Sequence, residues 1–236
     1  MELSSPFLQK TTKLYLNDKK YTSVHSETFS QLQHLKGIFL HSNNIQQIDI
    51  QTFNGLFNLK DLYLSANSLT SIDPQVLTGL HNLKRFSLHK NKLTSIHDDL
   101  LCGLVNLEDL WLSRNRLTMI PSSLFNGLHN LRRLFLAENN LSSIDHRCFK
   151  SLFNLKVLDL SLNKITEIHK ETFSDLSKLK VLMLQSNELQ SIDENIFWGL
   201  YKLKKLHIAN NPASLVNKTE LITSIHKVVP KCSIIS

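Results

Sequence analysis

A strict 24-residue period runs through this chain and leaves few folds open to it. Cut from Thr11, it divides again at Leu35, Leu59, Leu83, Leu107, Leu131, Leu155, Leu179 and Leu203, without insertion or deletion until the last unit. The shared pattern is L-x-x-L-x-L-x-x-N-x-L-x-x-I-x-x-x-x-F-x-x-L-x-x. The unit from Leu59 carries it on Leu59, Leu62, Leu64, Asn67, Leu69, Ile72, Leu77 and Leu80. Across the seven units from Leu35 to Lys202, all 49 apolar positions of the pattern hold Leu, Ile or Phe. A period kept this strictly is the mark of one structural unit repeated, so it is read before any helix or strand.

Within each unit L-x-L has period two and reads as a short strand with both leucines facing inward. One such strand cannot bury its apolar face alone, so the units must stack and share a core. Stacking in phase gives a parallel sheet. At a strand spacing of about 4.8 Å, nine coils span roughly 40 Å. The second apolar set, such as Ile72, Leu77 and Leu80, fills the back of each coil and is bulkier than a strand. The stack therefore curves with the sheet inside.

This pattern resembles the leucine-rich-repeat proteins, in the typical 24-residue class common in animal extracellular proteins and receptor ectodomains. The resemblance covers Thr11 to about Asn211. It implies an α/β-type solenoid: a horseshoe with a parallel β-sheet on the concave face, turns or short 3-10 segments on the convex face, and partner binding as the usual role. Two columns support the stack. Asn43, Asn67, Asn91, Asn115, Asn139, Asn163, Asn187 and Asn211 fall in phase, and an amide both donates and accepts, so it can pair with backbone left over by the turns. Gly55, Gly79, Gly103, Gly127 and Gly199 share another column, where a tight turn on the convex side is expected.

The ends differ, as terminal repeats of a solenoid must. The first unit has Thr11 in place of Leu and Lys19 in place of Asn. The stretch from Pro6 to Leu16 resembles the tail of the cysteine-rich cap that precedes many extracellular repeats, without its cysteines. The expectation is a chain that begins inside a longer product; an intact, cysteine-free cap is the alternative. Asn210-Asn211-Pro212 resembles the start of an extracellular C-terminal cap, but no cysteine cluster follows. Residues 217–229 instead suggest a short helix, with Leu221, Ile222, Ile225, Val228 and Val229 near one face and Pro230 ending it. The chain thus divides into a partial N-terminal cap (1–10), nine repeats (11–211) and a C-terminal cap (212–236) of one domain.

No apolar run is long enough to span a membrane, and Met1 is followed by Glu-Leu-Ser-Ser-Pro rather than a basic start and an apolar stretch. The formal charge of +7 favours anionic partners without naming one. Cys102 and Cys148 lie two coils apart, about 10 Å at strand spacing, beyond disulfide reach. Cys232, in the tail, could pair outside the chain. Two glycosylation tripeptides, Asn140-Leu-Ser and Asn217-Lys-Thr, give weak support for a secreted glycoprotein.

Function must lie in the columns the repeat leaves free. The residue between the second and third leucine points into the hollow, and that column reads Tyr15, Phe39, Tyr63, Ser87, Trp111, Phe135, Asp159, Met183 and His207. Aromatic and Met enrichment on an open surface is the composition of a binding hot spot, though packing between neighbouring strands favours the same residues. A flanking column adds Asp61, Arg85, Asp109 and Arg133, followed by Val157 and Val181. The expected partner-binding residues are Phe39, Tyr63, Trp111, Phe135 and Met183 as contacts, with Asp61, Arg85, Asp109 and Arg133 setting register. A protein or peptide ligand on the concave face suits this mixture.

A third column, Lys36, Lys60, Lys84, Arg132, Lys156, Lys180 and Lys204, is broken by Glu108. It reads first as a solvated edge, and alternatively as a stripe for an acidic, sulfated glycan on a matrix or scaffold protein. No motif that reads nucleic acid is present, and no nucleic-acid partner is expected. A column of His25, Asp49, Asp73, His97, Asp145, His169 and Asp193 has metal-ligand chemistry, but Asp in this slot reads better as the start of a turn. No metal, cofactor or enzymatic activity is expected. The resemblance implies an extracellular or cell-surface location as part of a longer product, with a cytoplasmic adaptor or regulatory subunit as the alternative.

Overall fold

The computed structural model describes residues 10–215 and 218–236. Asn217, the second glycosylation tripeptide's asparagine, and nearly all of the proposed N-terminal cap lie outside them. The strands Lys13–Tyr15, Gly37–Phe39, Asp61–Tyr63, Arg85–Ser87, Asp109–Trp111, Arg133–Phe135, Val157–Asp159, Val181–Met183 and Lys205–His207 form one parallel sheet in sequence order. Register advances by one repeat at each step: Leu14 faces Ile38, Leu62 faces Phe86, Leu110 faces Leu134 and Leu182 faces Leu206. The central residue of each of these strands is buried, so every period-two leucine enters a single continuous core.

A turn of constant shape holds each strand to three residues. Ser42, Ala66, Lys90, Arg114, Glu138, Leu162 and Ser186 all adopt a left-handed backbone, with φ between 51° and 57°. That conformation turns the chain out of the sheet just before the asparagine column. On the far side of the coils, among the described residues, lie the 3-10 helices Ser26–Phe29, Pro74–Leu77, Asp98–Leu101 and Glu194–Phe197, with turns in the other coils. Phe29, Phe53, Phe125, Phe149 and Phe173 stack there, as in the 5.8 Å contact of Phe29 with Phe53 and the 6.1 Å contact of Phe125 with Phe149. The Asp and His column starts these turns. Asp73 accepts a hydrogen bond from the Gln75 N–H (2.8 Å), Asp193 from Asn195 (2.9 Å) and Asp145 from Arg147 (2.9 Å). His97 and His169 accept likewise through Nδ1.

The asparagines tie coil to coil. Asn91 accepts from the Leu69 N–H of the preceding coil (3.1 Å) and donates to Leu64 O there and Leu88 O in its own coil, both at 3.0 Å. The same three bonds recur at Asn43, Asn67, Asn115, Asn139, Asn163, Asn187 and Asn211. A second ladder, not expected from the sequence, runs along the other flank: Asn82, Asn106, Asn130 and Asn154 donate to Phe57, His81, Val105 and His129 carbonyls at 2.7–2.9 Å. Nearby, Gly199 has φ of +89°, and a Cβ there would sit 2.7 Å from the Ser174 carbonyl.

The C-terminal segment holds a helix, Lys218–Val228, after the short Pro212–Leu215 turn of helix. Ile225 and Val229 enter the core. The chain then departs from what its sequence pattern predicts: Ser233–Ile235 adds a tenth strand beside Lys205–His207. The Ser233 N–H donates to Lys204 O and the Ile208 N–H to Ile235 O, both at 2.8 Å, so the last coil's sheet edge is paired. Cys232 is consequently buried rather than free in a tail, while Cys102 is exposed and Cys148 buried. No described helix is long and apolar enough to cross a membrane.

Candidate functional site

The side chains of the outward column form a ladder of rings. Tyr15 stacks on Phe39 at 4.6 Å, Phe39 on Tyr63 at 5.2 Å, and Trp111 on Phe135 at 5.9 Å, with interplanar angles of 14° or less. Tyr63 and Trp111 sit two strands apart, yet their ring centres are only 6.0 Å from each other. They lean together over Ser87, which is 4% exposed as a result. Lateral packing, expected as one of two roles for this column, is therefore real. The inner rings cover one another's faces. Phe39, Tyr63, Trp111 and Phe135 all remain partly accessible.

The charged column resolves into pairs. Arg85 binds Asp61 through two hydrogen bonds, Nε to Oδ1 and a terminal nitrogen to Oδ2. Arg133 binds Asp109 in the same fork, with a 2.7 Å contact to Oδ2. The carboxylates are 3% and 6% exposed, whereas both guanidinium side chains stay about half-exposed. Spacing alone would let Arg85 pair with Asp61 or Asp109; the structure selects Asp61. Each hydrogen-bonded carboxylate raises the pKa of its arginine above the ordinary value. Burial among these groups pushes the Tyr63 phenol up, so the ring stays neutral. The Arg133 guanidinium carbon lies 5.9 Å from the Trp111 ring centre, which ties the charged column to the ring ladder.

Glu108, the break in the basic column, clamps its neighbours. It accepts from Lys84 Nζ at 2.8 Å and faces Arg132 at 3.5 Å, and the Lys84 hydrogen bond holds its carboxyl below the ordinary glutamate value. The positive charge of the ladder is thereby reduced at its centre. Beyond it the surface changes: Val157, Val181 and Met183 are half-buried, and Asp159 accepts from both the N–H and the hydroxyl of Ser161. A shallow groove of about 370 Å³ opens there, among Glu108, Asp109, Arg132, Arg133, Lys156, Val157, Lys180 and Val181. His207 and the exposed Ile235 of the tenth strand prolong the face.

One exposed row was missed in the sequence. Phe57, Val105, Phe153 and Tyr201 line the flank at the N-terminal ends of the strands, alternating with His81 and His129. The Phe57 ring lies over Gly79 and the His81 ring over Gly103 in the following coil. His129 stacks on Phe153 at 5.9 Å. The signal was available, since these residues recur four places before each strand, but their chemistry alternates and hides the period.

The leucine rich repeat model matches residues 9–69, 57–117, 106–163 and 153–212. No curated protein matches in sequence. Among solved structures, a chain of the glycosylated Toll–Spatzle complex of Drosophila superposes with a TM-score of 0.85 at 22% identity, over 95% of this chain and 31% of that one. A second Toll–Spatzle structure gives 0.70 at 25% identity, over 89% and 31%. A chain of the TLR13–ssRNA13 complex gives 0.65 at 26% identity, over 84% and 32%. The present chain thus spans about a third of the length of the structures it resembles. With the family model reaching nearly end to end and the coils stacked in register, the chain belongs to the leucine-rich-repeat family.

Proposed function

We propose that this chain is a non-enzymatic recognition module that docks a protein or peptide partner on its concave face, as part of a secreted or cell-surface protein. The ring ladder from Tyr15 to Phe135 carries the reading. It is a strip of aromatic rings fixed by mutual stacking on a regular sheet, so little ordering is lost when a partner seats. Phe39, Tyr63, Trp111 and Phe135 serve as anchors. Arg85 and Arg133, locked by Asp61 and Asp109, offer fixed donors beside them, and Met183 extends the contact toward the C-terminal coils. On the same reading the chain is one domain whose residues 212–236 close the last coil.

The solved relatives bind both kinds of partner: Spatzle in one complex, a single-stranded RNA in another. Nucleic acid that binds through aromatic side chains stacks its bases on ring faces, and here the inner faces are already taken. That favours a protein partner. The test is a displayed peptide library panned on the purified chain, followed by Trp111→Ala with Phe135→Ala in a variant whose fold is verified by circular dichroism. Loss of both anchors should weaken the selected peptides about 30-fold, equivalent to about 2 kcal/mol. Unchanged affinity moves the site off the concave face. A sulfated glycan on the exposed lysines Lys36, Lys60 and Lys84 is the second reading. It requires steeply salt-dependent heparin binding that is lost when those three charges are reversed.

A further inference from the structure

The concave face is not electrically uniform, and the difference bears on what can lie on it. Over its first part Arg85 is paired by Asp61 and Arg133 by Asp109, and Glu108 is shared between Lys84 and Arg132. Lys36 and Lys60 are unpaired there among the described residues, but they stand beside Gly37 and the buried Asp61 rather than beside exposed aliphatic side chains. Among the described residues, Lys156, Lys180, Lys204 and Lys205 have no carboxylate within ion-pair distance. Asp159, the acid on these strands, is hydrogen-bonded to Ser161. Lys156, Lys180 and Lys204 stand one strand apart, about 4.8 Å in backbone spacing. That is less than the screening length of about 8 Å at physiological salt, so an anion seated between neighbouring lysines feels more than one of them. Between them lie apolar side chains, with Val157 and Val181 lining the same groove as Lys156 and Lys180, and Met183 and Ile235 beyond.

We infer that the C-terminal half of the concave face takes an acidic peptide segment of the partner, one in which Asp or Glu stands beside aliphatic side chains. Its carboxylates rest on Lys156, Lys180 and Lys204, and its apolar groups on Val157, Val181 and Met183. The inference rests on the proposed concave docking and adds the partner's chemistry and placement: carboxylates along the N-terminal ends of the strands, apolar groups over the strands beside them. A sulfated glycan or an RNA would use the lysines but gain nothing from the valines, and the inner faces of the ring ladder are already stacked.

The experiment pans a random 12-residue peptide library on the full chain and titrates synthetic versions of the enriched sequences. Enrichment of Asp or Glu next to Leu, Ile or Val is expected. Lys156→Glu with Lys180→Glu should weaken the best peptide by about 10-fold or more, and so should Val157→Ser with Val181→Ser. Lys36→Glu with Lys60→Glu makes the same change of net charge on the same edge but should leave affinity within about 3-fold. Peptides that require Trp111, carry no acidic bias and ignore reversal at Lys156 and Lys180 overturn the inference while leaving concave docking intact. Peptides that ignore Trp111 and Phe135 but still need the lysines and valines would refute the anchor assignment instead. Acidic binding lost equally with either lysine pair, or indifferent to the valines, reduces the effect to bulk charge and also overturns it.

Discussion

Replacing Asn115 by Ala tests the amide ladder at a single rung. The side chain is buried, accepts from the Leu93 N–H at 3.1 Å, and donates to Leu88 O and Leu112 O at 3.0 Å each. Those two carbonyls are served twice, because Leu88 O also accepts from Asn91 and Leu112 O from Asn139. Removing Asn115 therefore leaves each carbonyl one donor and orphans only the Leu93 N–H. An unpaired buried donor costs about 1–3 kcal/mol and each lost shared bond about 0.5 kcal/mol, giving about 2–4 kcal/mol in all. Urea unfolding monitored by circular dichroism reads the total. Native-state hydrogen exchange reads the location: the Leu93 amide should lose protection about 100-fold more than the Leu117 amide, whose acceptor Asn139 is untouched. A variant within about 0.5 kcal/mol of the parent, or one in which Leu93 and Leu117 lose protection alike, would refute the reasoning.

Two further perturbations separate backbone strain and burial from everything else. Gly127 and Gly199 both have positive φ, but a Cβ at Gly127 meets open space whereas one at Gly199 strikes the Ser174 carbonyl. Gly127→Ala should cost about 1–2 kcal/mol from conformation alone, with Gly199→Ala clearly more destabilising; equal melting shifts would show that the contact at Ser174 gives way freely. Burial raises the thiols of Cys148 and Cys232 to about 11, so at pH 8 only about one molecule in a thousand carries either thiolate. Iodoacetamide followed by mass mapping should label the exposed Cys102 in the native protein, and Cys148 and Cys232 only after denaturation. Rapid native labelling of Cys232 would mean that the tenth strand is not docked.

The coils were legible because seven columns repeat the same chemistry at every turn, with Leu, Ile or Phe at each inward position of the seven units from Leu35 to Lys202. The asparagine column announced itself for the same reason. The features that escaped lacked either repetition or a chemical signature. Ser-Ile-Ile at 233–235 carries no repeat phase, and only the unpaired edge of Lys205–His207 calls it into the sheet. The left-handed position before each asparagine is filled by Ser, Ala, Lys, Arg, Glu and Leu in turn, so geometry is constant there while residue type is not. The concave residues Phe39, Tyr63, Trp111 and Phe135 were placed correctly on the open side, since alternation sets direction. Their partnership was not readable: that Tyr63 and Trp111 close over Ser87 depends on ring size and on the small residue between them. Likewise the choice of Asp61 over Asp109 by Arg85 is a matter of side-chain geometry within a symmetric spacing.

Each asparagine reaches backward, to the coil made before it, and that gives the stack a direction. Leu69 N–H waits for Asn91, and Leu93 N–H for Asn115. As the chain leaves the ribosome, the newest coil always has an unanswered amide until the next two dozen residues emerge. A stack cut short after any coil would end on such an amide, and in the full chain the Ser233–Ile235 strand pairs the last sheet edge.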